Sequence, residues 1–290
     1  MTGSPSCVYV THLVSPKDGS TAAECEDAVT VLPDCSHDHM LRQPLTAGVC
    51  DGATESALAK DWARLLSRTA AEHAMERPEM LAGGAAFEKF ASSAVAQWGP
   101  WLAEYTRSRV AEGRPLKWYE HTKLADGAHA TLLTVRVDPD PGPAARPAGE
   151  TDGAAGPAWQ WRAAALGDSC LFQLRDDRLV QAFPVGAAAE FGTAPALFGS
   201  RNHDAGLLAR RARFAEGRCG PGDRLFLMTD ALAAWFLSAA DQLSAVRQLL
   251  EYSGQPDDLA EFTRWLDGLR ESRHLRNDDV AVVRIDFEGR

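Results

Sequence analysis

Acidic residues at five points of the chain border short apolar runs, and their type and spacing suit metal-dependent chemistry. In chain order these points are Glu26-Asp27, Asp51, Asp168, Asp230 and Asp278-Asp279. Each lies where a predicted strand begins or ends, so all five could converge on one edge of a stack of sheets. Crowded carboxylates repel one another and would have to take up protons, whereas two hard divalent ions with oxygen ligands would remove the repulsion. Such a pair of ions can activate water for displacement at phosphorus.

The segment 45–56, LTAGVCDGATES, shows how one of these carboxylates would be positioned. A short apolar run ends at Cys50, Asp51 and Gly52 enter a turn, and a helix is predicted from Ser56. A carboxylate can bridge two cations, and a glycine lets its backbone carbonyl come close to one of them. The opposing interpretation is a set of ordinary exposed turn carboxylates, since the chain contains 40 Asp and Glu residues.

Short apolar runs and a few amphipathic stretches are the elements that must position these carboxylates. Apolar and β-branched runs predict strands at 7–13, 28–32, 45–50, 128–137, 159–166, 170–174, 178–183, 207–214, 224–229 and 280–285. Helical spacing of apolar residues predicts helices at 56–76, at 85–110 with a kink at Gly99-Pro100, and in three patterns between 232 and 269. Because strands and helices are segregated rather than strictly alternating, we expect an α+β layered fold with mainly antiparallel sheets.

One domain is expected over residues 1–290, with a mobile loop at about 138–157. That segment reads DPDPGPAARPAGETDGAAGP, in which Pro, Gly and small residues leave too little apolar surface to build a core. A second loop, at 33–44, contains Cys35, His37, Asp38 and His39. Their spacing matches no usual structural-zinc pattern, so a solvated loop is the favoured interpretation.

Composition limits the classes of partner and compartment. The formal net charge of −10 argues against nucleic acid or an anionic membrane surface, because those partners need clustered Lys and Arg. The six cysteines are scattered with no C-x-x-C pair, which favours reduced thiols in the cytosol. The first residues lack a basic flank and a long apolar core, and no run of 18 apolar residues occurs. We therefore expect a cytoplasmic protein without a membrane span.

The order of the acidic motifs resembles that of the metal-dependent PP2C (PPM-type) protein phosphatases. The chain carries ED, then DG after a strand, then a GDS turn, then TD after a strand, and NDD before the final strand. The resemblance covers nearly the whole chain and is to divergent bacterial members of the family. It implies a four-layer αββα sandwich and two Mn²⁺ or Mg²⁺ ions, with a weaker third as an option. It also implies hydrolysis of phosphoserine or phosphothreonine by metal-bound water.

The same resemblance implies a metal role for four of the matched residues. Asp51 matches the carboxylate that bridges both ions. The carbonyl of Gly52 would face the second ion. Asp230 and Asp278 match the remaining ligands of the first ion.

Three further acidic residues are assigned by the resemblance with less detail. Glu26 or Asp27 would act on the second ion, largely through water, and the sequence does not distinguish between them. Asp168, in the GDS turn, matches a residue that helps to hold the weaker third ion. Thr131 matches a packing position rather than a catalytic one.

Three departures separate this chain from the usual pattern. The position four residues before the Glu, where the family usually has an Arg that grips the substrate phosphate, is Ala22. Loss of a bidentate, charge-assisted contact should weaken phosphate binding, and Lys17 or the Arg210–Arg213 cluster are candidates to replace it. The usual Gly-Gly after the Asp-Gly pair is replaced at 53–55, and Ala231 stands where Gly is common.

Two alternatives to a protein phosphatase follow from these departures. A pseudophosphatase would bind phosphoproteins or regulate a kinase without turnover, as the missing Arg suggests. A phosphohydrolase for small phosphorylated molecules is the second. For an active enzyme, the expected partner is a phosphorylated protein, with a Ser/Thr kinase or its target as the natural case. Catalysis by a Ser or Cys nucleophile is disfavoured, because the chain has neither a G-x-S-x-G elbow nor a C-x5-R loop.

Overall fold

Two five-stranded antiparallel sheets form the centre of the structure, a computed structural model that describes residues 6–35, 38–140, 159–192, 194–255 and 257–289. The first sheet has the order β1 (Cys7–Ser15), β12 (Val280–Glu288), β11 (Arg224–Met228), β7 (Cys170–Arg175) and β8 (Arg178–Phe183). The second has the order β10 (Arg213–Cys219), β6 (Trp159–Leu166), β5 (Leu132–Pro139), β3 (Leu45–Cys50) and β2 (Ala28–Leu32). Every pairing within both sheets is antiparallel.

Helices cover the outer face of each sheet. Against the second sheet pack α1 (Ala59–Glu76), α2 (Gly84–Ala111) and α4 (Ala205–Arg211). Against the first sheet pack α5 (Asp230–Ser238), α6 (Gln242–Leu250) and α7 (Asp258–Glu271). The remaining elements are α3 (Trp118–Asp126), the short pair β4 (His129–Ala130) and β9 (Phe198–Gly199), and two 3₁₀ turns at Pro78–Leu81 and Ala188–Glu190.

The core between the sheets arises from the two-residue period of the strands. In β3, Leu45, Ala47 and Val49 face the first sheet, where Leu225 and Leu227 of β11 belong to the same buried cluster. The opposite face of β3 accepts α1 at close range. A Cβ atom at Gly48 would lie 2.3 Å from the carbonyl oxygen of Ser67 in α1, so this position excludes any side chain.

The predicted α+β class and αββα layering are confirmed by this arrangement. One predicted strand is wrong: 207–214 is mostly α4, with β10 following it. Asp204 begins this helix, because its side chain accepts a hydrogen bond from the Leu207 amide at 2.7 Å. A helix of two turns shows too little periodicity to be distinguished from a strand in the sequence.

Smaller differences concern the segment around Thr131 and the ends of helices. The strand predicted at 128–137 is divided at Thr131 into β4 and β5, and α3, which carries His121, was not predicted. The first helix begins at Ala59, three residues after the expected start. The first two residues of the expected mobile loop, Asp138 and Pro139, belong to β5 instead. The rest of that loop, from residue 141 onward, lies outside the described residues, as does His37. None of the described helices is long and apolar enough to cross a membrane.

Candidate metal centre

The strand register brings the acidic motifs to one edge of the sandwich. Ala28 of β2 pairs with Cys50 of β3, so the preceding Asp27 lies beside the following Asp51. In the first sheet Met228 of β11 pairs with both Cys170 and Val282. The residues just outside these pairings are Asp168, Asp230, Asp278 and Asp279, which therefore lie at the same edge.

Several of these carboxylates are buried without partners. Asp27, Asp168 and Asp230 are only 4%, 6% and 9% exposed. Within the described part of the chain, neither oxygen of Asp27 has a hydrogen-bond partner, and one oxygen each of Asp168 and Asp230 is also unsatisfied. Unpaired buried carboxylates are costly, so this set of oxygens is suited to a cation.

Burial and mutual repulsion raise the pKa of the clustered carboxyls. Loss of hydration raises the pKa of Asp27 well above its usual range, and the charge of Asp51 adds to the effect. Loss of hydration and the charge of Asp230 do the same to the pKa of Asp51. The pKa of Asp168 is raised to about 6 by burial and by Asp230, and that of Asp278 is raised by the same two causes. The four groups thus lie within electrostatic range of a common centre.

Gly52 is required by close packing of the turn that carries Asp51. A Cβ atom at this position would lie 2.9 Å from the Glu26 carbonyl oxygen and 3.0 Å from the carbonyl carbon of Ala59. The turn is fixed further by an isolated bridge between Gly52 and Ala130. The predicted role of the Gly52 carbonyl toward a second ion stays a prediction.

Thr131 connects two of the acidic turns. Its hydroxyl accepts a hydrogen bond from the Asp51 amide at 3.1 Å and shares another with the Ser169 hydroxyl at 2.8 Å. Gly167, with φ of +115°, passes so close that a Cβ atom there would lie 2.7 Å from the Thr131 side chain. Thr131 therefore positions Asp51 and the GDS turn, a role that no sequence signal indicates.

Asp279 anchors the acidic segment that precedes β2. Its buried carboxylate accepts hydrogen bonds from the amides of Lys17 and Glu26, at 2.7 and 2.8 Å. Asp278, its neighbour, is more exposed and faces the cluster. The adjacent pair is thus divided between a residue that positions the chain and one that is available to a cation.

The Glu26-Asp27 pair divides in a similar way. Asp27 is buried at the centre, whereas the Glu26 side chain lies nearer the surface. Glu26 accepts a hydrogen bond from the Thr54 hydroxyl at 2.6 Å, and its carboxylate lies 3.6 Å from the ammonium of Lys17. Lys17, one of the two candidates to replace the Arg that is missing at position 22, therefore lies beside the site.

The other proposed cation source points elsewhere. Arg210 forms an ion pair with Asp204 at the start of α4, and Arg213 donates to the Pro184 carbonyl at 3.1 Å. Instead, Arg276 enters the cluster: its guanidinium contacts Asp230 and lies 3.5 Å from Asp278. Arg276 was not singled out from the sequence, because its partner Asp230 lies 46 positions away.

The carboxylate oxygens of the cluster are chemically suited to divalent metal ions, although they are not grouped around one point. All the available donors are oxygens, which Mn²⁺ and Mg²⁺ accept, and several are buried and unpaired. Among the described side chains, however, no three His, Cys, Asp or Glu residues are grouped closely enough to hold one ion.

A cavity of about 770 Å³ opens beside the cluster. Asp51, Gly52 and Asp278 line it, together with Lys123 of α3 and His129 of β4. A comparable cavity of about 830 Å³ includes Cys7 and Glu288, at the opposite end of β1 and β12 from Asp278. Of these two cavities, the one of about 770 Å³ has Asp51 and Asp278 of the cluster in its wall, and it is the candidate binding cleft.

Comparison with solved structures places this fold among the PP2C-type phosphatases. The catalytic domain of the serine/threonine protein phosphatase PstP in complex with two manganese ions matches 98% of this chain and 99% of its own, with TM-score 0.53 and 17% identity. The Mycobacterium tuberculosis serine/threonine phosphatase PstP/Ppp has a TM-score of 0.51 and 16% sequence identity, and the match covers 97% of this chain and 99% of that one. A bacterial serine phosphatase has a TM-score of 0.52 and 11% sequence identity, and the match covers 95% of this chain and 96% of that one. No protein-family model and no curated protein matches the sequence. The resemblance inferred from the acidic motifs is thus confirmed for the fold.

Proposed function

We propose that this chain, which has the fold of the PP2C-type phosphatases, is a metal-dependent protein phosphatase. The reaction would be hydrolysis of phosphoserine or phosphothreonine in a phosphorylated protein, such as a Ser/Thr kinase or its target. The observation that carries the proposal is a group of mutually repelling carboxylates, of which Asp51 and Asp278 line a large cleft. Its other members, Asp27, Asp168 and Asp230, have buried oxygens without partners among the described residues. Carboxylates in such a group are stable as anions only when cations accompany them.

The residues would hold two Mn²⁺ or Mg²⁺ ions in the arrangement that the motifs suggest. Asp51 would be shared between the ions, with Asp230 and Asp278 on the first. The Gly52 carbonyl and Glu26 would serve the second, with Asp27 behind them. A weaker third ion would be held near Asp168. When bound, the ions supply charge to the phosphoryl group and activate water as the nucleophile.

The protein's own groups would orient the substrate in the cleft. Lys123 and His129, which line the same cavity as Asp51, would meet a phosphorylated side chain that enters it. Lys17, beside Glu26, would offer a further positive charge near the position where Ala22 has none. The hydrogen bonds of Thr131 and Asp279 would keep the ligand-bearing turns in place during the reaction.

The test is release of p-nitrophenol from p-nitrophenyl phosphate with Mn²⁺ at neutral pH. Asp51→Asn should lower the rate by at least about 100-fold, because the shared ligand loses its charge. Asp61→Asn is the matched control, since it makes the same change on α1 outside the cluster and should leave the rate unchanged. If the unaltered protein releases no p-nitrophenol with either Mn²⁺ or Mg²⁺, the proposal that it is a phosphatase is wrong.

A phosphoprotein-binding pseudophosphatase is the second candidate, favoured by Ala22 and by the open arrangement of the carboxylates. It predicts binding of a phosphoserine peptide, measured by fluorescence anisotropy, without release of phosphate. An active enzyme would instead release phosphate from the same peptide in a metal-dependent manner.

A further inference from the structure

Arg276 is the cation that contacts Asp230 and Asp278 in the acidic cluster, whereas Lys17 pairs with Glu26. Its guanidinium forms a close ion pair with one oxygen of Asp230 and lies 3.5 Å from one oxygen of Asp278. The second oxygen of Asp278 accepts a hydrogen bond from the amide of Asp279 at 3.0 Å. The second oxygen of Asp230 is buried and has no partner among the described residues. Arg276 thus holds the oxygens that would otherwise be open to a divalent ion.

The charges around Arg276 come from several elements. Asp230 belongs to α5 and Asp278 to the loop before β12. Asp51, at the end of β3, and Asp168, in the β6–β7 turn, also lie within electrostatic range. No other Lys or Arg of the described chain forms an ion pair with Asp230 or Asp278. A divalent ion that binds the Arg276-contacting oxygens of Asp230 and Asp278 would have to replace both contacts of Arg276.

The loop that carries Arg276 allows its side chain to leave without unfolding. Leu275 on one side and Asp279 on the other are buried, at 4% exposure each, and fix the backbone. The Arg276 side chain between them is 52% exposed, so it can move into solvent. A half-exposed pair with a monovalent cation is weak compared with coordination of a divalent ion, and the exchange is therefore favourable.

Resting on the proposed function, we infer that Arg276 is a built-in competitor of the first metal ion. It bridges Asp230 and Asp278 when the ion is absent and releases both when the ion binds. Its presence stabilises the metal-free fold by reducing repulsion among the carboxylates, and lowers the affinity for the ion by the same interaction. Arg276 is a positioning residue, because it acts through the two carboxylates.

The test compares Mn²⁺ binding by calorimetry in the full chain and in Arg276→Gln, together with the melting temperature in EDTA. We expect Mn²⁺ to bind about five- to tenfold more tightly to Arg276→Gln, since the competing ion pair is gone. The metal-free protein should melt at a lower temperature, because the carboxylates lose their counter-ion. A general structural defect in Arg276→Gln would instead lower both the Mn²⁺ affinity and the melting temperature.

Two further variants sharpen the comparison. Arg276→Lys keeps the charge but loses the planar fork, so its Mn²⁺ affinity should fall between the other two. Arg273→Gln removes the same charge three residues away in the same loop and should change the affinity less than twofold. Equal or weaker Mn²⁺ binding in folded Arg276→Gln, with binding intact in the unaltered protein, overturns this inference alone. Absence of Mn²⁺ binding in both proteins overturns the metal centre as well.

Discussion

Individual carboxylates of this protein differ in role even where they are adjacent in the sequence. Asp279 is committed to two backbone amides, whereas Asp278 faces the cluster. Asp27 is buried and unpaired, whereas Glu26 is engaged by Thr54 and Lys17. Burial and repulsion raise the pKa of Asp27 and of Asp278, which makes the metal-free protein sensitive to pH.

Asp168 provides the clearest pH prediction. Its folded-state pKa of about 6 lies above the ordinary value of 3.8, so the folded state binds the proton more strongly than the unfolded state. The free energy of unfolding in EDTA should therefore fall as pH rises from about 4 to about 6. In Asp168→Asn, which cannot titrate, this fall should be smaller, as measured by urea unfolding at a series of pH values. Equal slopes in the two proteins would contradict the assignment.

Elements of this fold are tied together at the site by side chains that bond to backbone. The segment between β1 and β2 has few apolar contacts of its own, and Asp279, next to β12, holds it through the amides of Lys17 and Glu26. The Thr131 hydroxyl connects the end of β3 to the β6–β7 turn, because it accepts a hydrogen bond from the Asp51 amide and shares one with the Ser169 hydroxyl. The geometry of the cluster therefore depends on these links between loops.

Asp279→Ala should destabilise the metal-free protein by about 2 kcal/mol, because two amides lose a charged acceptor. The substitution also removes the repulsion between Asp279 and Asp27, but this gain offsets the loss of the two direct hydrogen bonds only in part. Urea unfolding in EDTA measures the change without a contribution from metal. Asp18→Ala is the matched control: its carboxylate is exposed in the same segment, and its effect should stay within about 0.5 kcal/mol. A similar stability for both variants would contradict the anchoring role of Asp279.

At the scale of the whole molecule, the proposed ligands come from both sheets, so a bound ion would connect the two halves of the sandwich. At a Mn²⁺ concentration of about 100 times Kd, binding adds about 2.7 kcal/mol to stability. For a chain of this size the melting temperature should rise by about 4–5 °C. Asp51→Asn should show little of this rise in differential scanning calorimetry, whereas Asp61→Asn should show all of it. An equal rise in both variants would place the ion elsewhere.

The layered fold and the edge position of the carboxylates could be predicted from the sequence, because both follow from local patterns. Strands such as β3 and β11 are apolar runs that end directly at an acidic residue. The helix α3 was missed because Leu124 is its only buried residue, which leaves no apolar face to detect. The contacts of Arg276 and the division of labour between Asp278 and Asp279 depend on tertiary approach, which spacing does not encode.

The place of β12 in the first sheet has a consequence for biosynthesis. This strand lies between β1 and β11, although it is the last strand in the chain, and Asp278 and Asp279 directly precede it. While the ribosome is still adding residues before 280, β1 has no neighbour in its sheet and the cluster lacks two carboxylates. A nascent chain that stops before β12 would therefore lack part of the proposed metal centre, and it would display an open sheet edge of the kind that pairs with other chains.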